Sequence, residues 1–591
     1  MEITRTFDLL DHLVINYPKD DILSGKVNGE WVKYSSHDYY KYAHYLAYGL
    51  CEMGFQPGDR IITLSANCPE WNFIDMALSM AGMIHVPVYP TLSVDNYLHI
   101  FTHSEACGIL VSNNLLLRRI RPALEKMERQ PQVFTLAHIE GQRPMMDILK
   151  AGISTHDKWM PIIEQRKRDI KPEDWVTLIY TSGTTGTPKG VMLTHRGILA
   201  NVEGIKDSPK KNWTRSLSWM PLCHIYERMM NYLYQYLGME TFYAESIGKV
   251  AENCQETNPY IMAAVPRFIE KMYDKIYRRG EKLKGAKKKI FEWAIEIGFD
   301  YDLNASNRSI GYELQRWVAD ILVYRNIRKS LGKNFSMLVS GGASIQPRLT
   351  RFFSCVGLDL YEGYGLTECS PLIAVTNAYA KEGRKVGSVG FVMAGTEVRF
   401  DPDTKEILCR GPQVMKGYYR SPELTAEAID SEGWFHTGDT GYIDKGGYMS
   451  LTGRTKHIFK TSMGKFVNPE VIEAKFKESP FILDMMVVGE GEKFAAAIIA
   501  PDFEMLKDWS RRHGVGVSTP EELVKDKIVL ARYQRVMDKY NAQLGNTEQI
   551  KRFHLVTETW GTENKFLTPT LKVRRKVVEK YYEDEIKKLF E

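Results

Sequence analysis

Residues 175–190 read WVTLIYTSGTTGTPKG. The opening run, Trp175 to Tyr180, is rich in β-branched and aromatic residues, which predicts a strand. Directly after it come Thr181, Ser182, Gly183, Thr184, Thr185 and Gly186, and then Lys189. Such a stretch is either a mobile polar linker or a loop that holds phosphate. Glycines let backbone N–H groups approach an anion, hydroxyls add donors, and a lysine adds a point charge. A glycine-rich loop that follows a strand is also where α/β proteins bind nucleotides. The spacing is not that of a P-loop. Pro188 stands five residues beyond Gly183, and Gly190 follows Lys189, so G-x-x-x-x-G-K-[ST] is not met.

Outward from this loop, short apolar runs alternate with helical patterns as far as residue 455: RIITLSA, CGILVS, QVFTLAH, SLSWMPL, YIMAAV and FSMLVSGG. The alternation predicts a large N-terminal α/β domain, 1–454, with mixed, substantially parallel sheets. A helical, basic segment near 267–332 interrupts it. That segment reads as a solvated helical face or as a membrane-surface or partner patch. Past Gly453-Arg454 the texture changes. Asn468-Pro469-Glu470 predicts an N-cap, a proline at N1 and an acid in the first turn. MMVVGEGEKFAAAIIAP then predicts a hairpin, so 455–591 is expected to be a small, mobile C-terminal α+β domain.

The 591 residues are 44% hydrophobic and 11% aromatic, enough for a large core. A net charge of +5 on 78 basic and 73 acidic residues demands no nucleic-acid partner. Eight cysteines without a C-x-x-C pair fit a reducing cytoplasm and neither a disulfide framework nor a zinc site. The charged start, MEITRTFDLLDHL, lacks the apolar stretch of a signal peptide. The uncharged stretch between Asp75 and Asp95 changes from helical to extended character. It is expected to be a buried helix and strand rather than a membrane span.

Two further loops carry polar groups. In Tyr361-Glu-Gly-Tyr-Gly-Leu-Thr-Glu-Cys-Ser-Pro371, Tyr364 offers a face for a purine, Thr367 a hydroxyl, and Glu368 a hard oxygen ligand for Mg²⁺. Gly363 and Gly365 begin a dinucleotide fingerprint that lacks its third glycine. Upstream, Gly342 and Ala343 follow Ser340-Gly341 and let backbone come close to a flat ligand. In GWFHTGDTG, Asp439 suits the two hydroxyls of a ribose, or is a turn aspartate.

Taken in order, YTSGTTGTPKGVMLTH, PLCHIYER, YEGYGLTE, GWFHTGD, GYMSLTGRTKHIFK and TPTLK resemble the signature strings of the adenylate-forming superfamily. That superfamily comprises acyl-CoA synthetases, luciferases and peptide-synthetase adenylation domains. The helical segment, VPRFIEKMYDKI and FLTPTLK resemble its long-chain fatty acid–CoA ligase branch. Gly453, where many of that branch have Asp, and Glu362, where many have Gln, are the departures.

The resemblance implies an ATP-dependent, AMP-forming ligase that joins a medium- to long-chain fatty acid to coenzyme A through acyl-AMP. It implies that Thr181 to Lys189 hold the β and γ phosphates and that Thr184 and Glu368 ligate Mg²⁺. Gly342, Ala343, Glu362, Gly363 and Tyr364 would line the adenine. Asp439 and Arg454 would take ribose and phosphate, and Thr367 an α-phosphate oxygen. Lys572 would be the adenylation lysine, Lys456 the hinge, and Lys460 and Gly464 the coenzyme A side. His224 would lie near the acyl carboxylate. Behind it Ile225, Met229, Tyr232, Leu233 and Tyr236 form either a core stripe or the wall of an acyl tunnel. A ligase for an aromatic or branched acid, an acyl-carrier-protein loader, a luciferase-like oxygenase and a non-catalytic acid binder are the competing readings. Peripheral membrane contact stays open.

Overall fold

The computed structural model describes residues 2–182, 187–207, 213–376, 384–568 and 571–591. Two large sheets dominate. One runs in the order Gly417–Tyr418, Pro188–Thr194, Trp175–Ser182, Ile84–Pro87, Arg60–Leu64, Gly108–Val111, Gln132–Thr135, Arg143–Pro144. The other has nine strands. Its parallel centre is formed by Asp359–Gly365, Met337–Ser340, Ile261–Ala264, Arg215–Ser218 and Glu240–Tyr243. Strands such as MLVS and IMAA are buried at every residue, as parallel strands covered on both faces must be. Every apolar run quoted above is found as a strand. The stretch after Asp75 holds the end of helix Pro69–Met80 and strand Ile84–Pro87. No described helix is long and apolar enough to cross a membrane.

Helix Ile225–Tyr236 is buried at eleven of its twelve residues. An all-round buried helix is normally apolar, yet this one carries Arg228, so the charge needs partners inside the core. Asp75 provides them. Arg228 donates to Asp75 through Nε at 3.3 Å and also through Nη2, and Tyr232 donates to the same carboxylate at 2.6 Å. His85 Nδ1 is 2.7 Å from Asp75, and Arg228 Nη1 donates to Thr177 at 2.7 Å. Burial alone would push the Asp75 carboxyl up; Arg228, then His85 and Tyr232, outweigh it and hold it at about 2. Removing either member of the Asp75–Arg228 pair would leave a lone buried charge, at a cost of about 3–5 kcal/mol.

Beyond the sheets lie an antiparallel sheet of Glu397–Phe400, Glu406–Arg410, Phe435–Ile443 and Met449–Arg454, a hairpin of Phe459–Lys460 and Phe466–Val467, and a three-stranded sheet. In the last, Ile482–Val488 and Ala495–Pro501 form the expected hairpin, joined in parallel by Ile550–Leu555. Its two faces are covered by separate apolar clusters, one around Ile472, Phe476 and Tyr533, the other around Trp560, Phe566 and Val578.

Two local expectations need correction. Asn468 occupies the N-cap position, but its side chain makes no capping bond and donates to the Thr452 carbonyl instead. The helical segment, made of Pro266–Glu281, Ala286–Phe299, Ile310–Ala319, a π turn at Asp320–Tyr324 and Arg325–Leu331, is not simply a solvated face. The side chains of Arg267 and Arg278 pair with Asp484 and Asp502.

Candidate active site

The phosphate-loop candidate is the tip of a β-hairpin. Trp175–Ser182 pairs antiparallel with Pro188–Thr194, with Thr181 opposite Lys189 and Ser182 opposite Pro188. The strand is therefore followed by a second strand, and the next helix, His195–Ile205, begins only after it. Gly183, Thr184, Thr185 and Gly186, and the side chain of Ser182, lie outside the described residues.

Lys189 and Glu368 are linked through a residue that sequence reasoning missed. Gly417–Tyr418 adds to the edge of Pro188–Thr194, with Tyr418 opposite Val191. Lys189 Nζ lies 5.1 Å from the centre of the Tyr418 ring, and the Tyr418 hydroxyl donates to Glu368 Oε1 at 2.9 Å. Burial, then the Glu368 charge, raises the Tyr418 phenol far above its usual range, so it stays a donor. Thr367 is buried in the short 3₁₀ turn Thr367–Cys369 that carries Glu368. Among the described residues no group of three or more His, Cys, Asp or Glu could hold a metal ion. Glu368 suits a Mg²⁺ that arrives on phosphates and needs one or two carboxylates.

Asp439 and Arg454 face each other across adjacent strands. Arg454 Nε contacts Asp439 Oδ1 at 2.8 Å, and the Tyr364 hydroxyl donates to Asp439 Oδ2 at 3.0 Å. Burial raises the Asp439 carboxyl, against Arg454, the Tyr364 hydrogen bond and Lys572. Asp439 is thus held by the fold, and is more than a turn aspartate.

Leu567 bridges Val573, and the Lys572 N–H donates to Thr568 Oγ1 at 3.0 Å. Lys572 is exposed to solvent, and its ammonium lies within electrostatic reach of Arg454, Asp439 and Glu470. Dehydration, then repulsion by Arg454, lowers its pKa to about 8, against Asp439 and Glu470. His224 is the N-cap of helix Ile225–Tyr236, and its Nδ1 accepts from the Tyr226 N–H at 3.2 Å. That leaves the ring proton on Nε2. Burial, then the charge of Lys572, lowers the His224 pKa to about 4, so the imidazole is neutral at neutral pH.

The strand ends supply the flat side. Gly342 adopts φ +85°, a conformation that favours glycine, and it lies exposed with Ala343 just past strand Met337–Ser340. At Gly341 a Cβ would stand 2.9 Å from the Tyr226 ring. Glu362 is buried and its carboxyl is pushed up by burial to about 8, and Thr350 Oγ1 donates to it at a long 3.5 Å. Gly363 lines an apolar cavity with Tyr226, Met229, Met230, Leu233 and Val339, and the Tyr364 hydroxyl turns to Asp439. Of the five residues offered as tunnel wall or core stripe, Met229 and Leu233 line the cavity. Ile225 is core, Tyr232 binds Asp75, and Tyr236 stacks on His12.

The residues expected at the hinge and on the coenzyme A side stand apart from this cluster. Lys456 lies exposed in the turn after Arg454. Lys460 is exposed with its ammonium over the Phe466 ring, and Gly464, at φ +76°, turns the hairpin tip.

One family model, AMP-binding enzyme, matches residues 11–419, and a second, AMP-binding enzyme C-terminal domain, matches 457–591. The chain belongs to the AMP-binding enzymes. Among curated relatives of this AMP-binding enzyme, the long-chain-fatty-acid–CoA ligase FadD15 of Mycobacterium bovis is 30% identical, over 98% of this chain and 96% of its own. The peroxisomal long chain acyl-CoA synthetase 7 of Arabidopsis thaliana is 29% identical, over 100% and 87%. Among solved structures, the adenylation domain of a carboxylate reductase from Mycobacterium chelonae superposes with a TM-score of 0.75 at 19% identity, covering 99% of this chain and 91% of that one. The corresponding domain from Segniliparus rugosus, in complex with AMP and a co-purified carboxylic acid, gives 0.73 at 18%, covering 99% and 94%. These two likenesses bear on the α/β fold.

Proposed function

We propose that this AMP-binding enzyme is an AMP-forming long-chain fatty acid–CoA ligase, using ATP with Mg²⁺ and coenzyme A. Residues 1–454 form its adenylation domain and 455–591 a lid that carries the lysine. The observation that carries the reading is the convergence of Lys572, Arg454, Asp439 and His224 on one cleft beside an apolar cavity. In the first step a carboxylate oxygen bonds to the α-phosphorus of ATP and the bond to the β-phosphate oxygen breaks, releasing pyrophosphate. In the second the thiol sulfur of coenzyme A bonds to the acyl carbon, the thiol proton is lost, and AMP leaves.

Carboxylate and triphosphate repel each other, so fixed positive charge and N–H donors are needed as the transition state forms. Lys572 supplies that charge between carboxylate and α-phosphate, and Lys189 at the outer phosphates. Mg²⁺ on the triphosphate would neutralise charge there, with Glu368 and Thr184 as its protein ligands. Asp439 takes the ribose hydroxyls, with Arg454 holding it and reaching the phosphate. Thr367 donates to an α-phosphate oxygen. Gly342, Ala343, Glu362 and Tyr364 border the adenine. His224, neutral and carrying its proton on Nε2, donates to the acyl carboxylate.

The cavity beside the cleft holds about 30 Å³, room for one water. An acyl chain must displace Met229, Met230 and Leu233, which flexible methionines permit. Each CH₂ so buried contributes about 0.8 kcal/mol, so kcat/KM should rise roughly fourfold per carbon until the tunnel is full. A panel of free acids from acetate to palmitate tests this. A flat profile, or a preference for benzoate, would favour the aromatic-acid reading.

A surface feature supports peripheral membrane contact as well. Ile310, Leu314, Trp317 and Ile321 recur at helical spacing and are 90%, 62%, 58% and 39% exposed. The neighbouring helix begins amid exposed Lys282, Lys284, Lys287 and Lys289, a basic complement to anionic headgroups. Vesicles containing phosphatidylglycerol should sediment the protein, neutral ones less, and Leu314→Gln with Trp317→Ala should abolish it. Loss of a concentration-dependent dimer in that variant, with no sedimentation by the parent, would assign the stripe to self-association instead.

A further inference from the structure

Helix Pro266–Glu281 has two working faces. Ile269, Tyr273, Ile276 and Gly280 point inward to the large sheet's core. Arg267, Glu270, Asp274, Arg278 and Glu281 follow one another at spacings of three and four, so they share another face. That face meets the small domain over its whole length. At one end Arg267 Nη1 donates to the Leu483 carbonyl at 2.9 Å and Nη2 to Asp484 Oδ2 at 3.4 Å. The other oxygen of Asp484 takes Lys477 at 3.0 Å. Gln346 Nε2 bridges Glu270 and the Lys477 carbonyl, each at 3.1 Å. Three turns on, Arg278 Nη2 contacts both oxygens of Asp502, at 3.3 and 3.2 Å, and its Nη1 donates to Glu504. Arg512 closes the row on Glu281 at 3.0 Å. The pattern is complementary at its ends, where cations of the helix meet acids of the small domain and Glu281 meets an arginine; between them Asp274 faces Asp502, and burial followed by that like charge pushes its carboxyl up to about 6.

We propose that this helix is a charged dock that holds the small domain in the orientation bringing Lys572 to the cleft, with Arg267 and Arg278 as positioning residues. The Lys572 loop and the Lys460–Gly464 hairpin lie at different places on that domain, and only the first faces Asp439 and Arg454 here. For the hairpin to reach the cleft the domain must turn. Helix Pro266–Glu281 is packed into the large unit through Tyr273 and Ile276 and does not turn with it. Arg267 and Arg278 then lose Asp484 and Asp502. The pairs therefore stabilise one orientation alone, and bias the enzyme between its two half-reactions. The half-reaction readout rests on the function proposed above; the docking itself does not.

Arg278→Glu tests the dock, since it sets a carboxylate against Asp502 and Glu504, and like charges at an interface are costly. Hydrogen exchange on the full chain without substrate reads docking directly. Peptides 266–281 and 499–506 should exchange about tenfold faster in the variant, while the sheet strand Met337–Ser340 stays protected. Acyl-AMP formation should fall about tenfold, and conversion of supplied acyl-AMP with coenzyme A should hold or rise. Adding Glu504→Arg should restore both, leaving intact Asp502, the N-cap of helix Phe503–Arg512. Unchanged exchange, or equal loss of both half-reactions without rescue, would overturn the dock. Faster exchange with rescue, in a protein that activates no fatty acid, would keep the dock and overturn the assigned substrate.

Discussion

Two loops of the small domain meet opposite fates. Lys572 is exposed to solvent, yet its ammonium lies within electrostatic reach of Arg454 and Asp439, and dehydration followed by Arg454 depresses it to about 8. The hairpin bearing Lys460 and Gly464 stands in solvent, with Met463 and Phe466 exposed at its tip. Both were expected at the chemistry, each in a different half-reaction. We propose that the small domain presents one loop at a time, Lys572 for adenylation in this orientation, and that the hairpin reaches the site when the domain turns.

The sharpest way to break this comparison is to delete each lysine in turn. Lys572→Ala removes a charge aimed at the transition state in a partly dehydrated cleft. Adenylate formation should drop about 10²-fold or more. Thioester formation from supplied acyl-AMP should survive. Lys460→Ala should do the reverse, with pyrophosphate exchange nearly intact and the thioester step about tenfold slower. If each variant depresses both steps equally, the two loops do not divide the labour.

Glu368→Gln sharpens the contrast within the large domain. The amide keeps the shape and can still accept from Tyr418, but it has lost the charge a hard cation requires. Adenylation should fall about tenfold and recover in part at raised Mg²⁺, whereas thioester formation from acyl-AMP should change little. Adenylation that is indifferent both to the substitution and to Mg²⁺ would remove Glu368 from the metal.

What the sequence made legible follows from this geometry. Each site loop is a contiguous string that ends a strand or turns a hairpin, so its residues announce themselves together. The Lys189–Tyr418–Glu368 link does not, because Tyr418 arrives from a distant two-residue edge strand and carries no motif of its own. The Asp75–Arg228 pair had one faint signal: an acid beside a long uncharged stretch must have a partner if that stretch is buried. The dock at Arg267 and Arg278 was hidden by composition alone, since basic residues on a helix read the same whether water or another domain covers them.

The smallest expected effect is a pH limb. Lys572 is a base whose folded pKa, about 8, lies below its ordinary value of 10.5. The sign is that of a group that prefers to be neutral in the fold. Its contribution to stability is present above the ordinary value and is lost as pH falls through about 8. For catalysis the charged form is the useful one, and it dominates below pH 8. In the free enzyme, kcat/KM for adenylation should therefore decline above pH 8 with the slope of one proton. His224, already neutral above about 4, should add no second limb between pH 5 and 8. Lys572→Arg keeps the charge on a group that does not titrate in this range. Whatever activity it retains should run flat to pH 10. The comparison is a ratio of profiles, so a loss from the guanidinium's different shape lowers both limbs alike and leaves the test intact. A limb that stays at pH 8 in Lys572→Arg would assign the titration to another group.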